Sequence, residues 1–167
     1  MNILIVDRRS SSSMLVEEAF NLCHVKDFKE LHDAYVADDQ ALFKSGEWDP
    51  NDHTQLINRI KFLLLQVDPS DLKEDDCAWR AEILWFYYHH GISYAMRRRD
   101  RKLAIQYAEC AMRYQWTNHP NKITRLLWLL LNDKVNAARK WAEQIPPELD
   151  RQTAFELIRD YERGKLV

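Results

Sequence analysis

The stretch ILWFYYHHGISYAMRRRDRKLAIQYAECAMRYQW, residues 83–116, decides the fold. In its second part Leu103, Ala104, Tyr107, Ala108, Ala111 and Met112 recur at the spacing of one helix stripe, while Gln106, Glu109 and Arg113 fall opposite. That pattern predicts an amphipathic helix whose small-residue face is buried. In the first part Ile83, Leu84, Trp85, Phe86, Tyr87, Tyr88, Ile92, Tyr94, Ala95 and Met96 leave almost no polar face, which predicts a central helix contacted on several sides. The short basic run between them reads as a turn, so the pair is expected to be an antiparallel helical hairpin and the protein all-α.

Working outward, the same reasoning predicts helices on both sides. Toward the N-terminus a helix is expected from Met14 to about His24, capped by Ser13 of the serine run. A second is expected from a capping box at Asp27 and Glu30, with Phe28, Leu31, Tyr35 and Leu42 on its inner stripe, ending before Gly46. A third follows Pro50, with Asp52 and Gln55 as a further capping box and Leu56, Ile57, Ile60, Leu63, Leu64 and Val67 as its apolar face, and stops at Asp68-Pro69. The central helix spans about Asp76–Arg98, and the hairpin's second arm about Arg101–Trp116. Beyond it come helices over Lys122–Asn132, Val135–Ile145 and Glu148 to about Gly164. Asp38-Asp39 and Asp75-Asp76 read as acids at helix ends. The run NILIV, residues 2–6, is β-branched enough for one strand, with nothing nearby for it to pair with.

At 167 residues the chain suits a single domain, 1–167, without metal or disulfide staples. Within it we expect an extended arm over 1–13, acidic helices over 14–76 and a helical-hairpin half over 77–167. Three glycines and five prolines are too few for a protein built of many tight β turns. Cys23, Cys77 and Cys110 show no paired spacing and read as small hydrophobes in a reducing compartment. The N-terminal apolar run is too short for a secretory signal, and no run is long enough to span a membrane, so the expected location is the cytoplasm. The net charge of −2 hides a division. Residues 1–76 carry sixteen acids against eight bases, residues 77–167 ten against sixteen. Such a split can hold two halves together, offer a basic surface to an acidic partner, or favour self-association.

The chain echoes itself at a constant offset, which sets Tyr94 over Trp128, Ala104 over Ala138, Tyr107 over Trp141, Ala108 over Ala142 and Glu109 over Glu143. The interval, about 34 residues, is that of a known helical-hairpin repeat. In this register Trp85, Gly91, Tyr94, Ala104, Ala108 and Ala111 resemble the signature set of the tetratricopeptide repeat, over about residues 83–146. The sequence departs from that pattern at Arg125, which stands where the second copy needs Gly, in a Tyr94-to-Ala104 spacing one residue longer than usual, and at Trp116, where the first copy needs Pro. The resemblance implies an array of helical hairpins coiled as a right-handed superhelix; without it the same helices form an irregular bundle. It also implies a partner-binding groove lined by first-helix side chains, here Trp85, Tyr88, Ile92, Met96, Lys122, Leu126 and Leu130.

Two other constellations have chemical potential. Arg97, Arg98, Arg99, Arg101 and Lys102 put five cations into six residues at the hairpin turn, a clamp for phosphates or simply a solvated turn at a helix C-terminus. His89 and His90 are adjacent, hence about 100° apart on a helix, and do not chelate one metal; they read as interior histidines. No nucleophile elbow, HExxH or phosphate-cradling glycine loop is present. The expected function is therefore a protein–protein interaction module, an adaptor or chaperone-like scaffold, rather than an enzyme, with no catalytic residues, metal or cofactor. The alternatives are a nucleic-acid-associated regulator using the basic half and a homo-oligomeric structural protein.

Overall fold

The computed structural model describes residues 8–114, 122–148 and 150–167. They form eight α-helices: α1 (Arg8–Cys23), α2 (Phe28–Ser45), α3 (Leu56–Gln66), α4 (Glu74–Arg97), α5 (Arg101–Arg113), α6 (Lys122–Leu131), α7 (Val135–Glu143) and α8 (Arg151–Glu162). No strand occurs among the described residues, and the protein is all-α. The candidate strand over 2–6 lies outside the described residues, as does Trp116. Contacts divide the chain into two compact units, Met1–Tyr87 and Tyr88–Val167, so the division falls inside α4 rather than at residue 77. Drawn there, it leaves seventeen acids against nine bases in the first unit and nine against fifteen in the second.

In the first unit the helix ends follow local chemistry only in part. Asp27 caps α2 as expected, its carboxylate accepting from the Glu30 N–H, while Glu30 reaches back to the Lys26 N–H. Gly46 closes α2 at φ 78°, where a side chain would strain the backbone. The N-terminal expectations need correcting. The serine run is not a cap and residues 8–13 are not an extended arm: α1 begins at Arg8 and carries the serines inside it. The reason is tertiary, because Ser12 is buried with its hydroxyl donating to Asp71 (2.7 Å) and accepting from the Asp68 N–H (3.2 Å). The box at Asp52 and Gln55 does not form either. Asp52 closes a small turn on Thr54, and Gln55 binds the main chain of Glu47 and Asp49 instead.

The loop between α2 and α3 is held from within by polar side chains. Asn58, buried on α3, donates to the carbonyls of Asp49 and Asp52, and accepts from the Tyr87 hydroxyl at 2.8 Å. The Trp48 ring tilts against Tyr87, and its indole N–H donates to Asp39 at 2.7 Å. Asp39 is thus not a helix-end acid: it lies in the middle of α2, wholly buried, one turn beyond Tyr35 on the inner stripe. Around these bonds pack Leu31, Tyr35, Ile57, Ile60, Leu64, Ile83 and Leu84. Arg80 is buried too, its Nε donating to the Leu64 carbonyl at the end of α3.

The second unit is built from repetition. α4 ends with the Asp100 N–H bonded to the Ala95 carbonyl and the Arg99 N–H to Met96; α6 ends with Lys134 bonded to Leu129 and Asp133 to Leu130. Each pair of bonds closes a helix through a residue in the left-handed region, Arg99 at φ 56° and Asp133 at φ 59°. Every member of the first set precedes its counterpart by the same interval that separates Tyr94 from Trp128. The second helix of each hairpin then buries alanines wholly, Ala104 and Ala108 in α5 and Ala138 and Ala142 in α7. Small residues there let neighbouring helices approach closely. Ile92, Leu126 and Leu130 fill the core between them, and α8 packs on α6 and α7 through Ala154 and Ile158.

Candidate functional site

Four of the seven residues expected to line a groove are enclosed in the second unit. Ile92, Leu126 and Leu130 are fully buried, and Tyr88 nearly so, because the first helix of each hairpin is enclosed as a core helix and its apolar stripe turns inward. Tyr88 stacks on Tyr114, with ring centroids 5.9 Å apart and planes 3° from parallel, and leans on Tyr107. Burial, reinforced by Cys110 and the two tyrosines, pushes its phenol up to about 12. Trp85 belongs to the first unit, half-buried against Phe86. Met96 and Lys122 are half-buried, and the Lys122 carbonyl accepts the Trp141 indole N–H at 2.8 Å. The four enclosed residues are packing residues.

Two aromatic rings at positions related by the internal echo, Tyr107 and Trp141, sit in different surroundings. A Cβ placed on Gly91 would lie 2.9 Å from the Tyr107 ring, so the tyrosine of α5 rests on the bare backbone of α4. At the equivalent place in the next hairpin Arg125 replaces the glycine, and its guanidinium lies over the Trp141 ring, 4.7 Å from the centroid. One site solves the contact by having no side chain, the other by a cation on a ring face.

The basic patch is only partly available. Arg101 is tied by its Nη2 to Asp133 at the tip of the second hairpin (2.8 Å), and the Tyr161 hydroxyl of α8 bonds the same carboxylate oxygen. The hydrogen bonds from Tyr161 and Arg101 hold the Asp133 carboxyl below its usual range. Arg97, Arg98, Arg99 and Lys102 are exposed, and Arg98 lies over the Tyr94 ring, 4.4 Å from its centroid.

His89 packs beside His90 and faces the Thr124 hydroxyl at 3.4 Å. Desolvation, then the neighbouring His90, pushes its imidazole down to about 4. In the first unit His32 sits against Trp79 with its Nε2 3.2 Å from Glu82, a cluster joining α2 to α4 that no spacing in the sequence announces. Among the described residues no group of three or more His, Cys, Asp or Glu is arranged to hold a metal, and no helix is long and apolar enough to cross a membrane.

The feature that the sequence did not reveal is an open groove of about 500 Å³ between α7 and α8. Its floor is Pro147, Phe155 and Ile158, and Arg139, Arg151 and Arg159 stand around it with Glu162 as the acid. Phe155 is one of the few large apolar side chains left exposed. Arg139 pairs with Glu162, and Arg151 closes the end of α7 by donating to the Ile145 and Glu143 carbonyls, so both are held in place at the rim. Nothing in the α8 sequence singles out Phe155, since adjacent apolar residues are buried together elsewhere in the chain, as Leu63 and Leu64 are.

No family model, no curated protein and no solved structure matches the chain.

Proposed function

We propose that the protein is a protein–protein interaction module of tetratricopeptide-like construction, and that its partner is an acidic amphipathic segment seated in the α7–α8 groove. The groove is the observation that carries this reading. An apolar floor with an exposed phenylalanine takes the partner's apolar side, and arginines already fixed at the rim take its carboxylates without loss of freedom on binding. The recurring hairpin turns, the buried alanines and the Gly91–Tyr107 contact support the tetratricopeptide-like part. On this reading the binding surface is the last hairpin and α8, away from the buried first-helix stripe.

The test is capture of a partner by the tagged full chain at low and high salt, with a photo-crosslinker at position 152 to report which segment sits in the groove. A cross-linked acidic amphipathic segment that survives high salt and is lost in Phe155→Glu supports the reading. Equal capture by the wild type and Phe155→Glu, or cross-links only to basic segments, refutes it.

A further inference from the structure

Both hairpins of the second unit turn at the same end. There the Arg101–Asp133 pair joins the two turns, and Tyr161 brings the last turn of α8 onto the same aspartate. Three acids of this end are engaged inside the unit. Asp100 caps α5 by accepting from the Leu103 N–H, Asp133 serves Arg101 and Tyr161, and Glu162 pairs with Arg139. The cations are in excess. Arg97, Arg98, Arg99, Lys102 and Lys134 are exposed around the two turns, and Arg163 and Lys165 follow α8. A helix C-terminus carries about half a negative charge, which one cation in the last turn satisfies. The cations beyond that need leave this end strongly positive.

The two turns share a second feature. Tyr94 and Trp128 are equivalent positions of the repeat, and each half-buried ring has a cation on its face. The Arg98 guanidinium is 4.4 Å from the Tyr94 centroid and the Lys134 ammonium 4.8 Å from that of Trp128. The Trp128 indole also donates to Glu109, which fixes the ring. The result is two aromatic platforms, each carrying a charge that a phosphate can draw away.

We propose that this end of the second unit binds single-stranded nucleic acid. Phosphates pair with Arg99 and Lys102, and with Arg98 and Lys134 as these swing off the rings. Unpaired bases then stack on Tyr94 and Trp128. Paired platforms favour this ligand over an acidic peptide, whose carboxylates do not stack, and over a duplex, whose bases already stack on each other.

Fluorescence anisotropy of labelled 20-nucleotide oligouridylate and oligothymidylate against the full chain tests the proposal, with polyglutamate and heparin as competitors. Four neutralised phosphates predict an affinity that falls roughly fiftyfold between about 50 and 200 mM salt. Tyr94→Leu and Trp128→Leu, which keep every charge, should each weaken binding about tenfold. Replacing Arg97, Arg98, Arg99 and Lys102 together by Ala should weaken it further and flatten the salt dependence. Should that variant lose its circular dichroism spectrum, Lys102→Glu at an exposed position replaces it. Absence of binding at low salt, unchanged affinity in the folded charge variants, or polyglutamate competing as well as oligonucleotide with no effect of Tyr94→Leu overturns the proposal. Phe155→Glu should leave oligonucleotide binding intact, so failure here and failure of the groove are separately visible.

Discussion

The two units of this chain hold themselves together by different means. The first relies on unique polar bonds within its core: Asn58 gathers two loop carbonyls and the Tyr87 hydroxyl, Trp48 binds Asp39, and Arg80 covers the end of α3. The second relies on one arrangement used twice, small residues between helices and aromatic rings seated at equivalent places. A unit of the first kind is vulnerable wherever one buried polar partner is lost. In a unit of the second kind the equivalent contact can be rebuilt with other chemistry, as Arg125 on Trp141 replaces Gly91 under Tyr107.

Gly91 offers the largest effect by which that contrast can be broken. Gly91→Val drives two methyl groups into the Tyr107 ring and should cost about 3 kcal/mol or more. Arg125→Ala, at the equivalent site, removes only a cation–π contact on an exposed side chain and should cost less than about 1 kcal/mol. Urea denaturation of both variants measures the ratio, and similar losses would mean that the two sites are not alternative solutions to one contact.

A pH titration sharpens the comparison next. The imidazole of His89 is lowered in the folded protein from about 6.5 to about 4, so the unfolded chain binds the proton more readily between those values. Stability from this group is complete above pH 6.5, falls with pH through that window, and has lost up to about 3 kcal/mol near pH 4. The loss belongs to the second unit. His89→Gln should flatten the acid side of its denaturation profile, and an unchanged profile would place the acid sensitivity elsewhere.

A third effect is at Asn58. Asn58→Ala leaves the Tyr87 hydroxyl and two loop carbonyls without this partner and should cost about 1–3 kcal/mol, with the loop 47–55 exchanging its amide hydrogens faster. Asn58→Asp tests the polar rather than the packing role: it keeps the acceptor for Tyr87 but removes both donors. A variant as stable as the wild type would show that this unit too is held by shape alone.

Much of the helix plan was open to reading because it is local. The apolar stripe of Leu103 to Met112, the Asp27 cap and the glycine stop at Gly46 involve residues a turn or so apart, and such interactions act before any tertiary contact exists. Non-local bonds decided the rest. Ser12 enters a helix because Asp71 and Asp68 wait for it 59 and 56 residues away, and Asp39 is buried because Trp48 reaches it. The candidate site divides in the same way. The charge of the Arg97–Lys102 turn is written in the chain, but that Arg101 is taken by Asp133 while Arg98 lies on Tyr94 depends on how two hairpins stack.

By itself, then, the sequence determined that the protein is all-α, where most of its helices stop, and that its second half repeats, with a basic turn between the arms of the first hairpin. Only the tertiary structure decided which apolar stripe is core and which is surface. An amphipathic pattern says that a face must be covered, but not by what. Ile92, Leu126 and Leu130 are enclosed by neighbouring helices, whereas on α8 Ala154 and Ile158 are buried and Phe155 is left at the surface, where the groove opens.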